Sequence, residues 1–217
     1  MTMKLEKMAE FFEARLEGYD EHMLNDIEGA SEFYPFTANA LPKDCNILDL
    51  GCGTGLELEF YFNDSPNARV TGIDLSQGML NALEVKLQGK NIKLICASYF
   101  DYPFGECLFD AAVSVESLHH FTLDEKAKLY KRLCDSLKDG GFFILTDYFA
   151  QDSAYEERCR DEFMRIKREN GISDKAFYHY DTPLTVEHEI QALSQGGFSK
   201  VEIMKNWGAT YTLKSYK

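Results

Sequence analysis

Three groups of residues in this chain have the types and spacing to do chemistry. The first is the run Ile47-Leu48-Asp49-Leu50-Gly51-Cys52-Gly53-Thr54-Gly55-Leu56. Glycines at alternate positions let a backbone bend sharply and let a ligand approach without meeting a Cβ. Dinucleotide loops need G-x-G-x-x-G, with a pyrophosphate on the helix that follows. Here the third glycine comes one residue early, and the position three after Gly53 is Leu56. Asp49, just ahead of the loop, repels a pyrophosphate but suits a ligand carrying ammonium or sulfonium charge. The spacing therefore points away from nicotinamide dinucleotides. The second group is Asp74 with Ser76: a carboxylate here can accept hydrogen bonds from both hydroxyls of a ribose, and it also precedes a helix-capping serine. The third is Glu116, His119 and His120, ahead of Phe121. A histidine titrates near physiological pH and can take a proton. Paired histidines at a strand–helix junction can equally pack on the helix and bond to backbone. Adjacent histidines without a second ligand pair do not make a metal site, so no metal is expected.

These residues need a scaffold, and the apolar pattern supplies one. Residues 45–50, 69–74, 92–97, 109–115 and 142–148 read as strands. The runs ILDL, AAV and FFIL are short and nearly continuous, as expected where both sheet faces are covered. Helical patterns alternate with them. Residues 56–62 follow the glycine loop, and Ser76 starts a stripe of Met79, Leu80, Leu83 and Leu87. Thr122 with Glu125 forms a capping box, and Asp139-Gly140-Gly141 stops that helix. Alternating strands and helices imply a doubly wound α/β sheet. Residues 3–17 and 26–40 have helical spacing, 152–170 form a long charged helix, and another helix runs from Thr185 to Leu193. The runs 199–205 and 209–216, divided only by Asn206-Trp207-Gly208, make a C-terminal antiparallel hairpin. The expected domains are an N-terminal helical lid over 1–42 and a main domain over 43–217, with a helical insert at about 150–185.

Composition narrows the partners. The 217 residues carry 23 Lys and Arg against 36 Asp and Glu, a net charge of −13, with pI near 4.8. So acidic a surface repels phosphate backbones and anionic lipid, which argues against nucleic acid and membrane. No apolar run nears the roughly 20 residues of a bilayer span, and the N-terminus lacks a signal-peptide core, so a cytoplasmic location is expected. Six cysteines stand singly, with no C-x-x-C pair; reduced thiols in apolar context, such as Cys96 and Cys134, are expected to behave as small core residues.

With these motifs in order, the chain resembles the class I S-adenosylmethionine-dependent methyltransferases of the small-molecule type. The likeness runs from Ile47 to Gly141 through LDLGCGTG, GIDLSQGML, FDAAVSVESLHHF and LKDGGFFILTDYF, and the final GGF…VEI…W…T hairpin looks like that family's seventh strand. The resemblance implies a Rossmann-like, mostly parallel seven-stranded sheet of order 3-2-1-4-5-7-6, strand 7 antiparallel, with helices on both faces. It implies S-adenosyl-L-methionine as cofactor, with S-adenosyl-L-homocysteine as product. Gly51, Cys52, Gly53 and Gly55 would line its methionine and ribose, Asp49 would reach its amino group, and Asp74 would hold its ribose. Leu75 and Met79 would press on adenine, Met79 being equally placed for ordinary core. The family often has an acidic residue near the adenine amino group; here Ser98 and Tyr99 occupy that region, with Asp101 displaced.

Methyl transfer from a sulfonium needs alignment and water exclusion more than a catalytic triad. Glu116 would stand beside the sulfonium, and His119 or His120 can act as a base. Relatives with a stretch like Phe12-x-x-Arg15-x-x-x-Tyr19-Asp20 use it to cover the cofactor, which makes Tyr19 the expected lid residue and brings Arg15 to the same site. Tyr148, Phe149, Tyr178, His179 and Tyr180 can face the acceptor. The leading reading is a monomeric or homodimeric enzyme methylating a small molecule. A modified donor, an RNA or protein acceptor, and a non-catalytic S-adenosylmethionine-binding module are the alternatives.

Overall fold

The computed structural model describes residues 5–172 and 177–217. Seven strands form one sheet: β1 (Asn46–Leu50), β2 (Arg69–Asp74), β3 (Ile92–Cys96), β4 (Phe109–Val115), β5 (Leu137–Tyr148), β6 (Lys200–Trp207) and β7 (Thr210–Tyr216). Their order is β3-β2-β1-β4-β5-β7-β6, as expected. Strands β1 to β5 pair in parallel, and β7 runs antiparallel to both β5 and β6.

Eight helices are described: α1 (Met8–Glu13), α2 (Tyr19–Asp26), α3 (Ala30–Ala40), α4 (Leu56–Asp64), α5 (Gln77–Lys86), α6 (Leu123–Ser136), α7 (Ser153–Glu169) and α8 (Val186–Gln195). Side chains alternate across a strand, so neighbouring residues feed opposite cores. Leu48, Ala112, Phe143 and Leu145 pack with Leu129, Leu133 and Leu193 of α6 and α8. Ile47, Ala111, Val113 and Ile144 pack with residues of α3, α4 and α5, among them Phe33, Leu58 and Leu83. The caps form as read: the Ser76 hydroxyl accepts from the Met79 amide at 3.2 Å, and Thr122 and Glu125 bond reciprocally.

Four readings need correction. The Asp139-Gly140-Gly141 stop lies inside β5, which begins at Leu137 directly after α6. The expected helix over 3–17 reduces to α1, residues 1–4 lying outside the described part. Its first residues pair with the insert instead: Lys7 bridges Tyr178, the Met8 amide donates to the Phe177 carbonyl, and the His179 amide donates to the Glu6 carbonyl. The helical stretch over 26–40 keeps only 30–40, its first residues belonging to α2 and the link at Ile27–Gly29. Cys96 sits exposed on β3, the edge strand of the sheet, whereas Cys134 lies on α6 with its side chain in the core. Among the described residues no helix is long and apolar enough to cross a membrane.

Candidate active site

The carboxyl ends of β1, β2, β4 and β5 converge on one rim, where open α/β sheets bind ligands. The glycine loop leaves β1 with Gly51 at φ +74°, and a Cβ there would lie 2.0 Å from the Ser117 hydroxyl. The amides of Gly51 and Cys52 both donate to the Ile73 carbonyl, which fixes the loop beside β2. A Cβ at Gly53 would meet nothing within 4 Å, so the backbone there faces open space. Asp74 closes the other side. Its carboxylate accepts from the Gly53 amide at 2.9 Å and from the Ser76 amide at 2.8 Å.

Gly51, Gly53, Asp74, Leu75, Met79, Tyr99, Glu116 and Tyr19 line one narrow cleft of about 50 Å³. Asp49 lies beneath it, wholly buried, with neither carboxylate oxygen hydrogen-bonded. Burial and the adjacent carboxyl of Glu57 raise its pKa well above the carboxylate range, and burial raises Glu57 as well. A buried acid with unmet acceptors beside a second buried acid suits a cationic ligand, so these residues fit the ammonium-bearing end of S-adenosylmethionine. Glu57 was missed in the sequence because an acid in the first turn of a helix has an ordinary explanation in the helix dipole. Four expected residues stand away from the cleft. Cys52 turns its sulfur under Gly72, Gly55 abuts Leu83, and the Ser98 hydroxyl accepts from the Phe100 amide. Arg15 pairs with Glu6 at 3.2 Å, covers the Phe11 ring, and borders a second cavity.

That second cavity, about 670 Å³, adjoins the cleft; Phe12, Tyr19, Glu116 and His120 line both. Glu116 holds φ +48°, an uncommon conformation for a side chain of its size. Its amide donates to the Thr146 carbonyl, and Thr210 donates to its carboxyl at 3.3 Å. Burial and nearby Asp147 push its pKa up to about 8, so at neutral pH it is largely a neutral acid. Tyr19 remains a phenol because burial and then Asp74 disfavour the phenolate. Asp20 anchors the start of α2 by accepting from Thr54 at 2.5 Å and pairing with Lys86.

The two histidines differ. His119 Nδ1 lies 2.6 Å from the buried Asp147 carboxylate. Burial opposes a charge on His119, yet Asp147 outweighs it and lifts the pKa to about 9. His120 goes the other way, lowered by burial and by His119. Its Nδ1 faces the Tyr180 carbonyl and Asp181, each at 3.2 Å, while its Nε2 is buried without a hydrogen-bond partner. Of the aromatic residues expected at the acceptor side, Tyr148 and His179 line the cavity. Phe149 is core, Tyr178 sits in the Lys7 bridge, and Tyr180 stacks on Phe163. Asp147 and Asp181 escaped sequence reading, since only folding carries them to the histidines.

Comparison with known proteins agrees with this fold. The methyltransferase domain family matches residues 47–141. The carboxy-S-adenosyl-L-methionine synthase of Wolinella succinogenes is 30% identical over 95% of this chain and 92% of its own length. The phosphoethanolamine N-methyltransferase of Plasmodium falciparum is 27% identical over 74% of this chain and 56% of its own. Human N-acetylserotonin methyltransferase, solved with S-adenosylmethionine, shares the fold at a TM-score of 0.64 and 16% identity. It is matched over 96% of this chain, which spans only 55% of that protein.

Proposed function

The chain belongs to the S-adenosylmethionine-dependent methyltransferase family, and we propose that it seats this cofactor over the Gly51–Gly53 bend and methylates a small molecule held in the adjoining cavity. The observation that carries the reading is the shared wall. Glu116, Tyr19, Phe12 and His120 border both spaces, so a donor on one side and an acceptor on the other meet at these four side chains. When bound, S-adenosylmethionine supplies a methyl group on sulfur, already activated for in-line displacement.

The chain's own residues do the rest. Asp74 holds the ribose, Leu75, Met79 and Tyr99 flank the base, and the Asp49–Glu57 pair answers the amino group. Phe12 and Tyr19 keep water from the junction, which matters because a desolvated site strengthens the electrostatics that align the reactants. Glu116 carries its proton in the free protein and can release it when positive charge arrives next to it. His120, neutral and with Nε2 unpartnered, is placed to take a proton from the acceptor.

The Wolinella relative is named as a synthase of carboxylated S-adenosylmethionine, which makes that molecule its product. This raises the question of whether a carboxylated form is bound here, as product or as donor. Such a donor adds an anionic group near the sulfur and calls for a buried cation. Among the described residues lining the two cavities, Arg15 is the one Lys or Arg, and Glu6 and Phe11 hold it. This favours the unmodified donor. The net charge of −13 favours a small acceptor over nucleic acid, in a cytoplasmic enzyme acting as a monomer or homodimer.

Calorimetry is expected to show S-adenosylhomocysteine binding to the purified protein. Asp74→Ala is expected to weaken it about tenfold or more, the equivalent of roughly 1.4 kcal/mol. A folded protein that binds neither S-adenosylmethionine nor S-adenosylhomocysteine would refute the proposal.

A further inference from the structure

His119, His120 and Asp181 offer one ligand atom each within 4.8 Å of one another, on the wall of the acceptor cavity. Asp181 Oδ1 is their common point: it lies 3.2 Å from His120 Nδ1, 3.7 Å from His119 Nε2 and 3.9 Å from His179 Nε2. This oxygen is buried yet has no hydrogen-bond partner, although the side chain as a whole is 45% exposed. Ligand atoms that each sit about 2.0–2.2 Å from one metal ion lie roughly 3–3.6 Å apart; the His120 separation falls in that range, and His119 Nε2, at 3.7 Å, lies just outside it.

The surroundings of His119 strengthen the case. Its Nδ1 is held at 2.6 Å by Asp147, whose carboxylate also accepts from the Leu118 and Tyr148 amides. That leaves Nε2 as the nitrogen facing Asp181. A carboxylate behind a histidine, fixing its tautomer and ring orientation, is the usual support of a metal-binding imidazole. Asp147 is fully buried and committed to three bonds, so it fits this supporting role better than that of a ligand. Two imidazoles and one carboxylate on one face, with the other face open to a cavity, are a ligand set used by divalent transition metals with free coordination positions.

We propose that His119 Nε2, His120 Nδ1 and Asp181 Oδ1 bind one divalent transition-metal ion in the acceptor cavity, its open positions facing the space where the acceptor sits. The ion takes the place of a proton on His119 Nε2 and of the Nδ1 proton that His120 otherwise donates to the Tyr180 carbonyl, so His120 then acts as a ligand rather than as the base. The inference rests on the acceptor reading of this cavity, and it deepens it: the favoured acceptors carry an oxygen or nitrogen that ligates the ion beside the atom to be methylated. His179, stacked at 3.5 Å on Phe11, stands at the edge of the site.

The test uses the full chain, stripped with EDTA and titrated with Co²⁺ in the absence of donor. Visible d–d absorption is expected to saturate at one ion per chain, without the near-ultraviolet band of thiolate ligation. His119→Ala and Asp181→Ala are each expected to weaken binding by tenfold or more, and Asp147→Asn by about 10- to 100-fold through the supporting contact alone. S-adenosylhomocysteine binding, read by calorimetry on the same samples, is expected to persist in Asp181→Ala, because Asp181 does not line the donor cleft. A protein that binds S-adenosylhomocysteine but shows no saturable Co²⁺ spectrum overturns the metal site and leaves the donor reading standing. Co²⁺ binding that survives the His119→Ala/Asp181→Ala double variant overturns it equally.

Discussion

At the scale of single residues, the Asp49–Glu57 pair is the most consequential finding below the glycine loop. Both side chains are buried, and burial raises both pKa values, that of Asp49 well above the carboxylate range. A group whose folded pKa is raised contributes stability that is complete below its unfolded pKa and is lost as pH rises through the folded value. The ligand-free protein is therefore expected to lose melting temperature as pH rises out of the ordinary carboxylate range. Bound donor or product, bringing an ammonium to the pair, is expected to restore it. Binding must then expel a proton, and affinity must rise with pH across that window. Calorimetry in phosphate and in Tris reads this directly: the apparent binding enthalpy is expected to differ between buffers, and the difference to shrink in Glu57→Gln. A buffer-independent enthalpy would show that the pair does not answer the ligand's charge. Asp49, Gly51 and Asp74 were legible because short-range spacing encodes them. Glu57 was hidden by its ordinary helical position, and Asp147 and Asp181 by sequence distance, since a contact 28 residues from His119 leaves no local trace.

At the scale of elements, the caps and apolar stripes were readable because they act within one turn. The boundaries that failed were decided by distant partners. Residues 6 and 7 stay out of the helix to pair with the insert, and β5 starts early because Leu137 pairs with Phe109 across an irregular register. The contact of α6 with α8 shows the same dependence. Lys126 and Glu189 are 1% and 0% exposed and pair at 2.5 Å, and Tyr130 also donates to Glu189. A buried pair of this kind costs desolvation on both sides, so removing one partner is far worse than replacing both. Glu189→Leu alone is expected to cost about 3–5 kcal/mol, by leaving Lys126 charged in an apolar site. The double variant Lys126→Met/Glu189→Leu is expected to recover most of that loss, with coupling visible in a double-mutant cycle of urea unfolding. Additive effects would mean that solvent reaches the pair after all.

At the scale of the whole molecule, the donor cleft is too small for its ligand. Its volume of about 50 Å³ falls well below the roughly 300 Å³ at which small-molecule pockets begin. The inner wall is sheet and loop, held by backbone bonds; the outer wall is Met8, Phe12 and Tyr19 of α1 and α2. Movement of the outer wall would enlarge the cleft, and we propose that the N-terminal segment swings away to admit the cofactor. Its fastenings among the described residues include the Lys7–Tyr178 bridge, the Phe11–His179 stack, and the grip of Asp20 on Thr54 and Lys86. The bridge can be made permanent. The amides on either side of it, Met8 to Phe177 and His179 to Glu6, make Lys7 and Tyr178 a non-hydrogen-bonded antiparallel pair. Such pairs hold Cα atoms about 4.5 Å apart, within the range a disulfide spans. Lys7→Cys/Tyr178→Cys is expected, once oxidised, to slow S-adenosylhomocysteine association by tenfold or more in stopped flow, and dithiothreitol to restore the rate. An unchanged rate in the verified crosslinked protein would mean that the cofactor enters by a route the lid does not control, most directly from the acceptor cavity past Glu116.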